Sequence, residues 1–114
     1  MSSDEAVNPP WSVERRVVDG RSRVVVSGEL DAFTAADIHA AIQDSTEGDL
    51  ELDLAGVTFI DSSGLAAVIE GHLRLEQQQR RLVVVDRSPI VQRLLDLSGV
   101  SRHLDLDPGP LDRQ

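Results

Sequence analysis

The residues of this sequence best suited to chemistry form a short polar run, Asp61-Ser62-Ser63-Gly64, directly after an apolar stretch that ends at Ile60. A helix is predicted to begin at this run, so its carboxylate and hydroxyls can accept hydrogen bonds from the free amides of the first turn. The same amides, and the partial positive charge of a helix N-terminus, also suit an anion. A phosphoryl group on a serine there would leave the fold intact and add a charge of about −1.5 to −2. The residues alone leave helix capping and phosphorylation both open.

Catalysis by the same run is disfavoured. A hydrolase nucleophile needs the spacing Gly-x-Ser-x-Gly, and the residue two positions before Ser62 is Ile60. His72 lies on the apolar face of a predicted helix and His39 on a polar face, so the sequence pairs neither with Ser62. No cluster of His, Asp and Glu has the spacing of a metal site. We therefore predict no catalytic residue, no metal and no cofactor.

The composition excludes further classes of chemistry. The chain has 114 residues and no cysteine, and all eleven of its basic residues other than histidine are arginines. It therefore has no disulfide, thiolate metal site or cysteine nucleophile, and it lacks the lysine of a phosphate-binding loop. No apolar run approaches the roughly 20 residues of a membrane span, and residues 1–10 do not have the pattern of a signal peptide. We expect one cytoplasmic domain.

The formal charge of −9 is concentrated in the middle of the chain. Between Val24 and Leu73 the sequence has ten acidic residues and no arginine, whereas the remainder has ten acids and eleven arginines. An acidic surface repels the phosphate backbone of nucleic acids, so direct binding of nucleic acid is disfavoured. The simplest interpretation of this charge is a solvated face that keeps a small protein dissolved.

The strands that must position the polar run follow from hydrophobic periodicity. Alternating and β-branched runs predict strands, and the Asp19-Gly20 dipeptide predicts a hairpin turn between the first two. The runs Val24–Val26 and Leu82–Val85 are typical of strands buried on both faces. The predicted strands are Trp11–Val18, Arg21–Gly28, Leu50–Ile60, Arg81–Asp86 and His103–Leu106.

Helices are predicted between these strands. A capping box at Thr34–Asp37, with Asp in place of Glu, predicts a first helix at about Ala35–Asp44. The second helix begins at the polar run and frays near Gln77–Gln79. Glu70 and Arg74 have the i,i+4 spacing of an ion pair on its polar face.

The third helix has clear signals at both ends. Ser88 is its predicted N-cap, Pro89 suits its first position, and Gly99 suits a left-handed C-terminal cap. The order β-β-α-β-α-β-α-β predicts an α/β fold, a mixed sheet packed with helices on one side. We expect three parts: a flexible leader, one domain and a flexible tail, at residues 1–10, 11–106 and 107–114.

Three motifs stand in register with this order of elements: Gly28-Glu29-Leu30-Asp31 followed by Thr34-Ala35, the run Leu52–Leu65, and Ser88-Pro89 followed by Leu97–Val100. Together they resemble the signatures of STAS domains, specifically the bacterial anti-sigma factor antagonists (anti-anti-sigma factors). The resemblance covers roughly Val13–Leu106 and implies a single STAS-like domain.

The resemblance also implies a phosphorylation switch. In the family, the first serine of the Asp-Ser-Ser/Thr-Gly motif, Ser62 here, is phosphorylated by a partner that is both an anti-sigma factor and a serine kinase. The unmodified antagonist binds that partner and releases a sigma factor. The phosphorylated form does not bind, and a PP2C-type phosphatase resets it. Asp31 matches an acidic position near the phosphorylated serine, and Asp61, Ser63 and Gly64 belong to the same partner-binding loop.

A second class of function stays open. A STAS module of a lipid-transport complex, or a stressosome-type scaffold, would bind its partner through the same face without phosphorylation, and Ser62 would then be only a helix cap. In either class we expect a protein without enzymatic activity that is a monomer or weak dimer. Binding of a nucleotide near Asp31 and Ser62 is disfavoured by the acidic surroundings and the absence of lysine.

Overall fold

The computed structural model of this chain describes residues 11–45, 48–100 and 104–106. The predicted leader and tail, at residues 1–10 and 107–114, lie outside the described residues. None of the helices in the described ranges is long and apolar enough to cross a membrane. In chain order the elements are β1 (Trp11–Val18), β2 (Arg21–Leu30), α1 (Ala32–Asp44), β3 (Leu50–Ile60), α2 (Ser62–Gln77), β4 (Leu82–Arg87), α3 (Pro89–Ser98) and β5 (Asp105–Leu106).

The described strands form one mixed sheet in the order β1-β2-β3-β4-β5. β1 pairs with β2 antiparallel, and each later pair is parallel. Each parallel pair is joined through one helix, and every step moves in the same direction across the sheet. Right-handed crossovers of this kind put all the connecting helices on the same face. The predicted α/β class with a mixed sheet is confirmed.

The hairpin between β1 and β2 turns at Asp19-Gly20, as predicted. Both residues have positive φ, 54° and 80°, which is the requirement of the type I′ turn that matches the twist of antiparallel strands. Val18 and Arg21 are the last pair of the ladder, so the turn fixes the register of the first two strands.

The core lies between one face of the sheet and the three helices. Val24, Val26 and Val84 are at most 1% exposed, and buried residues of α1, α2 and α3 belong to the same apolar cluster. Val25, which lies between Val24 and Val26 in sequence, and Val83, which precedes Val84, are only partly buried. The prediction that these strands are buried on both faces is therefore wrong, because the helices cover one face only and alternate side chains point away from them.

The opposite face of the sheet carries an ion-pair network that ties β2 to β3. Arg23 donates to Oε1 of Glu51 from Nε at 2.9 Å and from Nη2 at 2.7 Å, and its Nη1 lies 4.0 Å from Asp53. The hydrogen bond to Glu51 raises the pKa of Arg23 above its ordinary value, against the opposing effect of burial. The side chain of Glu51 is 11% exposed, so this charge-assisted pairing compensates its partial desolvation.

The second and third helices have the predicted ends. α2 begins at Ser62 and ends at Gln77, and α3 begins at Pro89 after its N-cap Ser88 and ends before the left-handed cap Gly99. The last predicted strand is observed at Asp105–Leu106, and residues 101–103 lie outside the described ranges.

A side-chain contact that the sequence did not predict joins α1 to α2. Nε2 of His39 lies 2.8 Å from Oε1 of Glu70. The predicted Glu70–Arg74 pair is not observed among the described ion pairs, and the Glu70 carboxylate contacts α1 instead. The i,i+4 spacing predicts pairs within one helix only, so it cannot predict a partner on the neighbouring helix.

The first turn of α2 lies unusually close to the end of β2. A Cβ atom built on Gly64 would be 2.2 Å from the carbonyl oxygen of Leu30 and 2.8 Å from its Cγ. Only glycine allows this approach, because the obstructing oxygen belongs to the backbone and cannot rotate away. Gly64 therefore sets the distance between the helix that carries Ser62 and the strand beside it.

We predict that Gly64→Ala lowers the free energy of unfolding by about 2–3 kcal/mol, because the added methyl group must displace backbone. The measurement is urea denaturation followed by far-UV circular dichroism. Ser63→Ala, in the same turn but exposed, is the control and should change stability by less than about 0.5 kcal/mol. A Gly64→Ala protein as stable as this control would contradict the close approach.

Candidate functional site

Two parallel strands end side by side at one edge of the sheet. Leu30, the last residue of β2, pairs with Ile60, the last residue of β3. Paired strands lie about 4.8 Å apart, so the residues that follow them, Asp31 and Asp61, are neighbours. Each of these aspartates is the N-cap of the helix that comes next. The two helix N-termini therefore open onto the same edge, which we call the switch edge: Leu30–Thr34 and Ile60–Gly64.

Asp61 holds the N-terminus of α2. Its Oδ1 accepts a hydrogen bond from the amide of Gly64 at 3.0 Å, and its carbonyl accepts the amide of Leu65 at 3.0 Å. Its own amide donates to the carbonyl of Leu30 at 3.3 Å, which joins the start of α2 to β2. One aspartate thus supplies the side-chain cap of the helix, and capping does not require either serine.

Ser62 stands at the first position of α2 with its side chain exposed. Within the described part of the chain, its hydroxyl takes part in no hydrogen bond. Ser63 is exposed as well, whereas Gly64 is buried against β2. An exposed, unengaged hydroxyl at the start of a helix can enter the active site of another protein without unfolding of the chain that carries it.

Asp31 is the corresponding N-cap residue of α1. Its Oδ1 accepts hydrogen bonds from the amides of Phe33 at 3.0 Å and Thr34 at 3.3 Å. The predicted capping box at Thr34–Asp37 is therefore wrong, and the helix begins three residues earlier, at Ala32. The amide of Thr34 donates to the carboxylate of Asp31, which places Thr34 inside the first turn and not at the cap. Its buried hydroxyl donates to the carbonyl of Glu29.

Charges of both signs act on the Ser62 hydroxyl. Two helix N-termini contribute partial positive charge at the switch edge. Asp31 and Asp61 contribute full negative charge, and the exposed Glu29 lies just before the edge. The amides can stabilise a phosphoryl oxygen, while the carboxylates add to its negative field. The edge is thus tolerant of a phosphoryl group and strongly acidic once it carries one.

The histidines do not make Ser62 a nucleophile. His39 is engaged by Glu70, and His72 is 8% exposed on α2, as predicted for a histidine at the boundary of the core. His103 lies outside the described residues. Neither described histidine supplies a base to the hydroxyl, so the geometry fits a substrate serine better than a catalytic one.

Two aromatic residues at this edge were missed from the sequence. Phe33, in the first turn of α1, is 75% exposed, and Phe59, beside the last residue of β3, is 45% exposed. Phe59 pairs with Glu29 across the sheet. Helical spacing puts Phe33 outside the face formed by Ile38, Ala41 and Ile42, but that spacing alone does not show whether the ring is exposed.

Comparison with known proteins gives a consistent result. The family model described as "Mlab, STAS domain" matches residues 13–107. The anti-sigma-B factor antagonist of Listeria monocytogenes is 33% identical over 86 residues, which span 73% of this chain and 75% of that protein.

Solved structures agree with these matches. The crystal structure of an anti-sigma factor antagonist from Mycobacterium paratuberculosis superposes with a TM-score of 0.72 at 30% identity, and the match covers 90% of this chain and 89% of that one. The anti-sigma factor antagonist SpoIIAA, in its unphosphorylated form, superposes with a TM-score of 0.63 at 25% identity over 83% of this chain and 87% of that one. With this fold, these relatives and these motifs, the chain belongs to the STAS-domain family of anti-sigma factor antagonists.

Proposed function

We propose that this protein binds an anti-sigma factor that is also a serine kinase, and that binding releases a sigma factor. Phosphorylation of Ser62 by the same partner ends the interaction, and a PP2C-type phosphatase restores it. The observation that carries the proposal is the exposed Ser62 hydroxyl at the start of α2, free of any capping role and beside the Asp31 loop.

The fold can accept the modification. Ser62 is outside the core, so a phosphoryl group there needs no repacking. The first-turn amides of α2 and the helix dipole favour an anion at this position. The folded structure should therefore remain while the surface changes, which is the requirement for a reversible switch.

The modification would change binding through charge. A phosphoryl group adds about −1.5 to −2 charge next to Asp61 and near Asp31. A partner surface shaped for a neutral hydroxyl would have to bury this charge without a counter-ion. Truncated or unmatched charge pairs in interfaces cost several kcal/mol, and about 4 kcal/mol corresponds to a roughly thousandfold weaker complex.

The alternative is a STAS interaction subunit whose binding ignores phosphorylation, in a lipid-transport complex or a stressosome-type scaffold. The matching family model, described as "Mlab, STAS domain", leaves this alternative open. Under it, Ser62 would persist as a helix cap. The hydrogen bond from Gly64 to Asp61 assigns that cap to the aspartate, which favours the switching antagonist. The solved relative SpoIIAA is described as being in its unphosphorylated form. A relative that is distinguished by its phosphorylation state also supports a switch.

The first prediction concerns the site of modification. Incubation with ATP and the candidate anti-sigma kinases of the same genome should add about 80 Da, one phosphoryl group, to the intact mass. Ser62→Ala should abolish the shift, and Ser63→Ala, the matched neighbour in the same turn, should keep it. A mass shift that persists in Ser62→Ala and disappears in Ser63→Ala would assign the modification to Ser63 and contradict the proposal.

The second prediction concerns binding. Ser62→Asp should weaken the complex with the anti-sigma factor by at least about a hundredfold, because it introduces a permanent charge at the interface. Ser62→Ala should bind within about threefold of the unmodified protein, because it retains a neutral, small side chain. Isothermal titration calorimetry measures both. Equal affinity for Ser62→Asp and the wild type would favour the non-switching subunit.

A further inference from the structure

The chain has two phenylalanines, and both are exposed at the edge that carries Ser62. Phenylalanine is among the residues most often buried in protein cores. The core of this protein is built instead from valine, leucine, isoleucine and alanine. Both phenyl rings lie at the surface, Phe33 with 75% and Phe59 with 45% of the residue exposed.

Their positions follow from the pairing of the strand ends. Phe33 is two residues beyond Asp31, in the first turn of α1. Phe59 directly precedes Ile60, whose pairing with Leu30 defines the switch edge. Ser62 begins α2 two residues after Ile60, so Phe33 belongs to the helix layer at this edge and Phe59 to the strand that leads to Ser62.

Neither ring is part of the core. The contribution of Phe33 to the capping of α1 is its backbone amide, which every residue but proline provides. Neither ring belongs to the apolar cluster of the core or to the side chains packed against it. An aromatic side chain can bury about 150–250 Å², and a partner can still cover the exposed parts of these two residues, 75% of Phe33 and 45% of Phe59.

We propose that Phe33 and Phe59 are apolar anchors that insert into recesses of the anti-sigma factor bound at Ser62. This inference rests on the proposed function and adds the residues that give the complex its affinity. Hot spots of interfaces are large side chains near the centre, surrounded by a polar rim. Here the rim is acidic, formed by Glu29, Asp31 and Asp61, so the matching partner surface has apolar recesses with a basic border. These basic residues pair with the three carboxylates, which leaves no cation to pair with a phosphoryl group on Ser62.

The acidic rim also argues against a second copy of this chain as the occupant. Two identical edges would bring six carboxylates together, and the formal charge of each chain is −9. Like charges placed against each other disfavour self-association. A basic partner removes this repulsion, and its association rate should fall as salt concentration rises.

The test compares four alanine variants of exposed apolar residues. Phe33→Ala and Phe59→Ala remove the proposed anchors. Leu97→Ala on α3 and Val17→Ala on β1 remove side chains of residues that are 74% and 75% exposed, at the opposite ends of their elements from the switch edge. Phe33→Leu, which keeps an apolar side chain, serves as the rescue variant.

Each phenylalanine variant should weaken binding of the purified anti-sigma factor by at least about tenfold, measured by calorimetry against the unmodified full-length chain. The two controls should stay within about twofold, and Phe33→Leu should recover most of the affinity. Thermal melting should show that all five variants are folded at the temperature of the titration, which separates lost docking from lost folding.

The outcomes distinguish this inference from the proposed function. Phenylalanine variants that bind as tightly as the controls would overturn the anchors and leave the antagonist function standing. Tight binding that depends on both rings, without any phosphorylation of Ser62, would support the anchors and overturn the switch. A wild-type dimer in sedimentation velocity that Phe33→Ala dissociates would assign the patch to a second copy and overturn the inference. A wild type that binds no anti-sigma factor would overturn both.

Discussion

The parallel pairing of Leu30 with Ile60 is the contact on which the rest of the site depends. It ends two strands at one level, and the aspartate after each strand then caps a helix. The hydrogen bond from the Asp61 amide to Leu30, and the close approach of Gly64 to the same carbonyl, hold the start of α2 against β2. A shift of either strand by one residue would move its aspartate and its helix together.

At this edge, the residues that cap and pack the helices are different from the residue whose side chain is exposed and unengaged. Asp31, Asp61 and Gly64 are committed to capping and packing, whereas the Ser62 hydroxyl has no such duty. A modification at Ser62 therefore acts on the surface and not on the fold. From the sequence alone, the acidic residues of the middle segment were explained as a solvated face. They would also repel the negative charge that a phosphoryl group on Ser62 adds.

Much of the fold could be predicted from the sequence, because hydrophobic period, turn residues and caps are local signals. The Asp19-Gly20 turn, the start of α2 and both ends of α3 were of this kind. The errors concern contacts that the spacing along one helix does not show. The amide of Thr34, a predicted cap residue, is itself capped by Asp31, and Glu70 contacts His39 of the neighbouring helix.

The candidate site divides in the same way. The polar run at residues 61–64 is visible in the sequence, but the assignment of the cap to Asp61 and not to Ser62 needed atomic positions. The exposure of Phe33 and Phe59 could not be predicted, because no local pattern tells whether an aromatic side chain beyond a helical stripe finds a place in the core.

The central claim is that one phosphoryl group on Ser62 decides whether the partner binds. Its most direct test is calorimetric titration of one purified anti-sigma factor with two forms of the same chain, unmodified and fully phosphorylated at Ser62 as verified by mass. The account predicts that the phosphorylated form binds at least about a hundredfold more weakly, and that treatment with a PP2C-type phosphatase restores the affinity. Equal affinity of the two forms would contradict it.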